Sequence, residues 1–245
     1  MKLLLALVAC IWGSTFPLIQ CSLNDIPPFQ FVFYRFAIAS AAMGAFTLLR
    51  KRKMDSSPVL CGVGLGVFLF GGYAFQAVAL KFTTPAHSAF LTGLSLVFVP
   101  TLGMGLKFEK MSLSNAIGVF ISLIGLIRFA GSPSEWKQGE VLTIICALWF
   151  ALHIVSASRL KVSVDVCACM FFQMATVTLL SGAFAKSEVA CHFTRSGVLS
   201  LFYVALAATV FAFGIQLLRL HFFLRLNPFG VQSFLICGLE SVCQA

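Results

Sequence analysis

Charged side chains are scarce in this sequence. They make up 10% of its 245 residues, whereas a soluble domain carries about 25%. Hydrophobic residues reach 60%, and the mean hydropathy is +0.99. Such a chain has too few polar groups to present to water over a folded surface, which excludes a soluble globule. Alternating strands of about ten residues, which a membrane barrel would need, are missing as well.

Apolar residues form nine long runs instead. They lie near residues 3–20, 29–49, 59–80, 86–106, 113–130, 141–158, 166–185, 197–218 and 229–245. Most reach the roughly 18 to 20 residues that a helix needs to cross about 30 Å of hydrocarbon. The pattern predicts an all-α polytopic membrane protein with nine transmembrane helices.

Residues that would support catalysis, metal binding or nucleotide binding are also few. The sequence has no glycine-rich phosphate loop and no nucleophile placed with a base. Seven of its nine cysteines lie in or at the edge of apolar runs, where cysteine behaves as a small hydrophobe. Cys167-Ala168-Cys169 has no second pair. We therefore expect no metal, no cofactor and no enzyme activity, with a membrane-embedded enzyme as a distant alternative.

The net charge of +9 could suit a nucleic-acid partner, but the basic residues concentrate in alternate loops. Eleven lie on one side of the predicted helices and five on the other. The positive-inside rule then places the N-terminus in the cytoplasm and accounts for the charge without nucleic acid.

Several motifs occur once in each half of the chain. The first half has Ile11-Trp12-Gly13-Ser14, Val32-Phe33-Tyr34-Arg35, Tyr73-Ala74-Phe75-Gln76 and Gly93-Leu94-Ser95-Leu96-Val97. Their counterparts are Leu148-Trp149-Phe150-Ala151, Met170-Phe171-Phe172-Gln173, Phe213-Gly214-Ile215-Gln216 and Gly238-Leu239-Glu240-Ser241-Val242. Because five helices per copy is an odd number, the second copy must enter the membrane from the opposite face. This predicts inverted five-helix repeats, residues 1–130 and 141–245.

Arg35 is the one basic residue inside a predicted span. It lies seven residues after Pro28, about 10 Å deep, where an arginine costs ~2.5–3.5 kcal/mol on insertion scales. Glu240 lies at a similar predicted depth in span nine. Arg35 could bind an anionic substrate group or form a substrate-gated pair with Glu240. A static ion pair, or a side chain that snorkels to the interface, is the alternative.

Further polar and aromatic residues suggest a site for a small polar metabolite. Trp12 lies too deep for an interfacial position and could stack on a ligand, although a packed, kinked helix would also explain it. His153, one turn after Trp149, is a candidate proton carrier, and Gly71-Gly72 would open space for a ligand. The predicted substrate-binding residues are Arg35, Trp12, Tyr34, Tyr73, Gln76, Thr92, Trp149, Gln173 and Gln216, with Glu240 and His153 as coupling or ion-pair candidates.

These motifs resemble the EamA-type carriers of the drug/metabolite transporter superfamily. The residues that carry the resemblance are Trp12-Gly13-Ser14-Thr15-Phe16, Phe33-Tyr34-Arg35-Phe36, Gln76, Ala79, Leu80, the run from Thr83 to Leu91, Gly118, Leu123, Gly125 and Leu239-Glu240-Ser241-Val242. The resemblance implies a cavity lined by spans one to four and six to nine. It also implies secondary transport of a small metabolite, such as an amino acid or a nucleotide-like solute, by export or exchange. The bilayer would be the bacterial cytoplasmic (inner) membrane, and coupling to a proton or to a counter-substrate is left open.

The family has ten helices, whereas this sequence ends at Ala245, inside predicted span nine. A truncated and inactive remnant of such a transporter is therefore an alternative expectation to an active carrier.

Overall fold

The computed structural model describes residues 2–50, 56–105, 117–121, 124–125, 128, 137–160, 164–189, 191–212 and 214–215. Its helices are α1 (Lys2–Ser22), α2 (Pro28–Leu49), α3 (Ser56–Ala79), α4 (Pro85–Thr92), α5 (Ser95–Gly105), α6 (Gln138–Ala157), α7 (Val166–Ala185) and α8 (Arg195–Tyr203), which continues as a π-helix over Val204–Phe211. Residues 117–121, in predicted span five, are helical too. No strand occurs in these ranges.

Five helices are long and apolar enough to cross a membrane. They are Pro28–Leu49, Ser57–Ala79, Pro85–Gly103 (α4 together with most of α5), Gln138–Ala157 and Val166–Ala185. Leu7–Ser22 and Arg195–Phe211 are shorter apolar helices. The prediction of an all-α, multi-pass membrane protein is thereby confirmed. Predicted span nine lies outside the described residues.

Span four, predicted as one run over 86–106, is interrupted between α4 and α5. The Thr92 hydroxyl donates to the Ser88 carbonyl at 2.7 Å. The Gly93 amide donates back to the carbonyls of Ala89 and Phe90. The last carbonyls of α4 are thus satisfied within its own final turn, and a glycine, which is unfavourable inside a helix, marks the interruption.

Helices α2 and α7 run side by side in opposite directions. At one end, the Glu188 carboxylate after α7 accepts hydrogen bonds from the first backbone amides of α2, those of Phe29 (3.1 Å) and Gln30 (2.8 Å). At the other end, Arg50 after α2 forms an ion pair of 3.3 Å with Asp165, which precedes α7. Each helix therefore begins where its neighbour ends.

Helix α3 approaches α7 through glycines on one face. A Cβ atom on Gly66 would lie 2.6 Å from the Thr176 Cβ and 2.8 Å from the Gln173 carbonyl oxygen. A Cβ on Gly62 would lie 2.7 Å from the Cys169 carbonyl oxygen. Small residues four apart let two membrane helices come into backbone contact, which is how α3 and α7 pack here.

Helix pairs occur in two matching sets. Helix α3 packs along α6 and α7, while α8 and its π-helical continuation pack along α1 and α2. Exchanging the two halves of the chain would convert the first set into the second. The arrangement suits the predicted repeat, whose boundaries at residues 130 and 141 stay a prediction.

Candidate functional site

Arg35 lies in the interior of the helix bundle. The side chain is 3% exposed, so it does not snorkel to the membrane interface. Its Nε donates a hydrogen bond of 2.8 Å to the Thr209 hydroxyl. Its guanidinium carbon lies 4.3 Å from the centre of the Tyr73 ring and 5.4 Å from that of Phe36. Three neutral groups therefore surround this charge.

Among the described residues, no carboxylate pairs with Arg35. The Asp165 carboxylate there forms an ion pair with Arg50, and the Glu140 carboxylate lies 3.6 Å from the His87 Nδ1. The predicted partner Glu240 lies outside the described residues, so the predicted pair stays a prediction. A buried cation held by neutral partners alone is costly, and a cation–π contact offsets only part of that cost.

The π-helix brings Thr209 to Arg35. The Thr209 hydroxyl donates to the Val204 carbonyl, five residues earlier, at 2.9 Å. A hydroxyl has one proton to donate and two lone pairs, so this donation leaves its lone pairs for the Nε–H of Arg35. Thr209 was not among the residues predicted from the sequence, because a single threonine in an apolar run gives no signal and nothing in that run indicates a π-helix.

Trp12 reaches the same region from α1. Its indole N–H donates a hydrogen bond of 3.0 Å to the carbonyl of Ala208, the residue before Thr209. The indole also packs against the core cluster that contains Phe36 and Tyr73. Of the predicted binding residues, the structure thus brings Arg35, Trp12 and Tyr73 together.

Gln76 lies one turn beyond Tyr73 on α3. Its side chain is largely buried, being 6% exposed. Gln216, its predicted counterpart, lies outside the described residues.

Gln173 and His153 form a second, separate polar pair. The His153 Nε2 and the Gln173 Oε1 are 3.1 Å apart, and both residues are buried. The Gln173 Nε2 has no hydrogen-bond partner in the described part of the chain. Arg35 and Gln173 each lie seven residues after the start of their antiparallel helices, so they lie toward opposite ends of the helix bundle. A coupling role for His153 stays a prediction.

Three other predicted binding residues neither hydrogen bond to Arg35 nor stack on it within the described ranges. The Tyr34 ring packs edge-on against Phe193 at 5.3 Å, and the Thr92 hydroxyl donates within its own helix. The Trp149 indole lies directly across Gly71. Any part that these three residues take in binding stays a prediction.

The expectation that Gly71-Gly72 opens room for a ligand is wrong. The Trp149 ring fills the space beside Gly71, and the Phe150 ring fills the space beside Gly72, where an added Cβ would lie 2.5 Å from it. Both rings come from α6. The two glycines therefore serve the close packing of α3 on α6.

Glu140 is a buried acid that the apolar runs place in the connector before span six. It is 7% exposed and lies in the first turn of α6. Its carboxylate accepts hydrogen bonds from the Thr83 hydroxyl (2.5 Å) and the Lys137 amide (2.9 Å), and the His87 Nδ1 lies 3.6 Å away. It joins the loop after α3 to the start of α6.

Comparison with known proteins supports the resemblance that the motifs carry. Residues 1–130 match the EamA-like transporter family. A protein of Archaeoglobus fulgidus named an uncharacterized transporter is 32% identical over 74% of this chain. The matched segment spans 56% of that relative's length. The uncharacterized inner membrane transporter YedA of Escherichia coli K12 is 27% identical over 82% of this chain and 68% of its own. A probable amino-acid metabolite efflux pump of Salmonella typhimurium is 26% identical over 85% of this chain and 74% of its own.

A solved crystal structure of a protein shares the fold. Its TM-score is 0.66 and its identity 18%, over 98% of this chain and 95% of that one. The likeness extends over the described helices on both sides of the connector before α6.

Proposed function

The chain belongs to the EamA-like transporter family, and on this basis we propose that it is a secondary transporter of a small metabolite bearing an anionic group. It would act by alternating access, as an exporter or an exchanger. The opposite directions of α2 and α7, one from each half of the chain, support this mechanism. The distribution of basic residues and the inner membrane transporter among the relatives support a location in the bacterial cytoplasmic membrane with the N-terminus inside.

The buried charge of Arg35 carries the proposal. The guanidinium is fixed by Thr209 and Tyr73 and has no acidic partner in the described residues. An intramembrane charge of this kind indicates a functional site by default. A carboxylate or phosphate of the substrate would supply the counter-charge, and arginine binds such groups in a bidentate geometry.

Amino-acid metabolites are the substrate class we propose. One relative is named a probable amino-acid metabolite efflux pump, and an amino acid offers a carboxylate for Arg35. Polar groups such as the amide of Gln76 and aromatic rings such as that of Trp12 could bind the remainder of a small metabolite.

Transport by purified protein in liposomes tests the proposal. A panel of radiolabelled L-amino acids would be measured for counterflow, with the carboxamide of each active compound as an uncharged competitor. We expect Arg35→Ala to abolish transport, Arg35→Lys to retain a part of it, and the carboxamide not to compete. Arg50→Ala, at the exposed end of the same helix, is the matched control and should transport as the unaltered protein does.

Full transport by Arg35→Ala, or equal competition by the carboxamide, would refute the assignment of Arg35 to an anionic group. Absence of counterflow for every compound of the panel would refute the proposed substrate class.

A further inference from the structure

We propose that Thr209 is the positioning residue for Arg35, and that the π-helical turn of span eight places its hydroxyl for this role. The inference rests on the proposed function, because it concerns how Arg35 is presented to the anionic group. It adds a residue and a structural element that the motifs do not contain.

The guanidinium of Arg35 is fixed on one edge and on one face. On the edge, the Nε–H donates a hydrogen bond of 2.8 Å to the Thr209 hydroxyl. On one face, the Tyr73 ring centre lies 4.3 Å from the guanidinium carbon. The fork of two terminal nitrogens binds a carboxylate in a bidentate arrangement. None of the carboxylates in the described ranges engages that fork.

The direction in which the Thr209 hydroxyl donates its hydrogen bond is fixed by the π-helix. Thr209 is 1% exposed, and its hydroxyl donates its proton to the Val204 carbonyl at 2.9 Å. The hydroxyl is therefore oriented as an acceptor toward Arg35. A valine would have the same shape but no lone pair, and the Nε–H would lose its partner in the interior of the bundle.

The π-helix determines where Thr209 lies. Thr209 reaches a carbonyl five residues back, where a threonine in an α-helix bonds to a carbonyl three or four residues back. The wider turn rotates Thr209 relative to the residues that precede the turn, and such turns occur frequently at functional sites. The adjacent Ala208 carbonyl accepts the Trp12 N–H at 3.0 Å, so α1 and α2 both hold the turn.

Kinetics of three variants test the role of Thr209, using the labelled amino acid that the unaltered protein carries best. Thr209→Val should raise KM about tenfold, or ~1.4 kcal/mol, with a smaller change in kcat. The reason is that Arg35, which binds the anion, loses the hydroxyl that fixes its orientation. Thr209→Ser keeps the hydroxyl and should restore KM. Thr143→Val is the matched control, since Thr143 is equally buried and donates a hydrogen bond of 2.8 Å to Gly139 of its own helix.

A double variant separates positioning from packing. A lysine at position 35 has no Nε–H and donates only from Nζ, one bond further along the side chain, so Thr209→Val should raise KM less in the Arg35→Lys protein than in the unaltered one. An equal increase in KM with arginine or lysine at that position would overturn the inference. So would an increase in KM for Thr209→Ser as large as that for Thr209→Val.

Hydrogen–deuterium exchange of the peptide over 204–211 provides a readout that needs no substrate. Thr209→Val and Arg35→Ala should both speed exchange there, whereas Thr209→Ser and Thr143→Val should not. If no amino acid is transported but these exchange differences occur, the proposed substrate class fails and the link between Arg35 and Thr209 stands. If exchange is the same in all variants, the link itself is refuted.

Discussion

Replacement of Gly66 by alanine should push α3 away from α7 and destabilise the protein. The added Cβ would lie 2.6 Å from the Thr176 Cβ, 2.8 Å from the Gln173 carbonyl oxygen and 3.0 Å from the Gln173 Cα. Two of these three neighbours are backbone atoms, which cannot move aside as the end of a side chain can. Reaching an ordinary contact of 3.4 Å requires the two helices to shift by about 0.8 Å.

The expected cost is that of overpacking a close-packed interior, about 1–3 kcal/mol. For a chain of 150–250 residues, each kcal/mol lowers the unfolding temperature by roughly 2–4 °C. Thermal unfolding of the detergent-solubilised protein should therefore begin about 2–12 °C lower in Gly66→Ala than in the unaltered protein.

Gly64→Ala provides a control on the opposite face of the same helix. A Cβ there meets no atom within 4 Å, and Gly64 is exposed at the outer surface of the bundle. Because alanine favours a helix over glycine by ~0.8–1.0 kcal/mol, this variant should be as stable as the unaltered protein or slightly more so. Equal unfolding temperatures for the two alanine variants would refute the close approach of α3 and α7.

Two further predictions concern carboxylates at the helix ends, each measured by thermal unfolding. Glu140→Ala should lower stability by about 1–3 kcal/mol, because the Thr83 hydroxyl and the Lys137 amide lose their acceptor; an unfolding temperature unchanged from the unaltered protein would contradict this. Asp165→Ala should lower the stability more than Arg50→Ala does. Both variants remove the partly exposed ion pair, but only Asp165→Ala also removes an N-cap, which is worth ~1 kcal/mol. Equal losses of stability would show that the cap contributes nothing.

The helices could be predicted from the sequence because hydrophobic length alone determines which segments can span a bilayer. The irregular features could not. The interruption after Thr92 and the π-helix before Ala212 both lie inside apolar runs, where hydropathy does not change. The contacts that stabilise the π-helix, from Trp12 and Arg35, come from residues more than 170 positions away.

The charged residue of the candidate site could be predicted from the sequence, but the residues that position it could not. Arg35 is conspicuous as a lone cation in an apolar helix, and two aromatic residues of the motifs, Trp12 and Tyr73, proved to be its neighbours. Thr209 has no such signal. Glu140 was missed because the apolar run of span six begins at residue 141, although the helix begins at Gln138.

The two tryptophans of the repeat show why matched motifs do not define matched environments. The offset of 140 residues that aligns Gln76 with Gln216 also aligns Gly71 with Phe211. Trp149 can lie across Gly71 because no side chain occupies that position, so α6 packs closely on α3.

Phe211 is 49% exposed and does not meet Trp12 as Gly71 meets Trp149. Trp12 instead bonds to the Ala208 carbonyl on the π-helix. The first tryptophan lies next to the Arg35 site and the second packs between helices, although a repeat in sequence alone would treat them as equivalent.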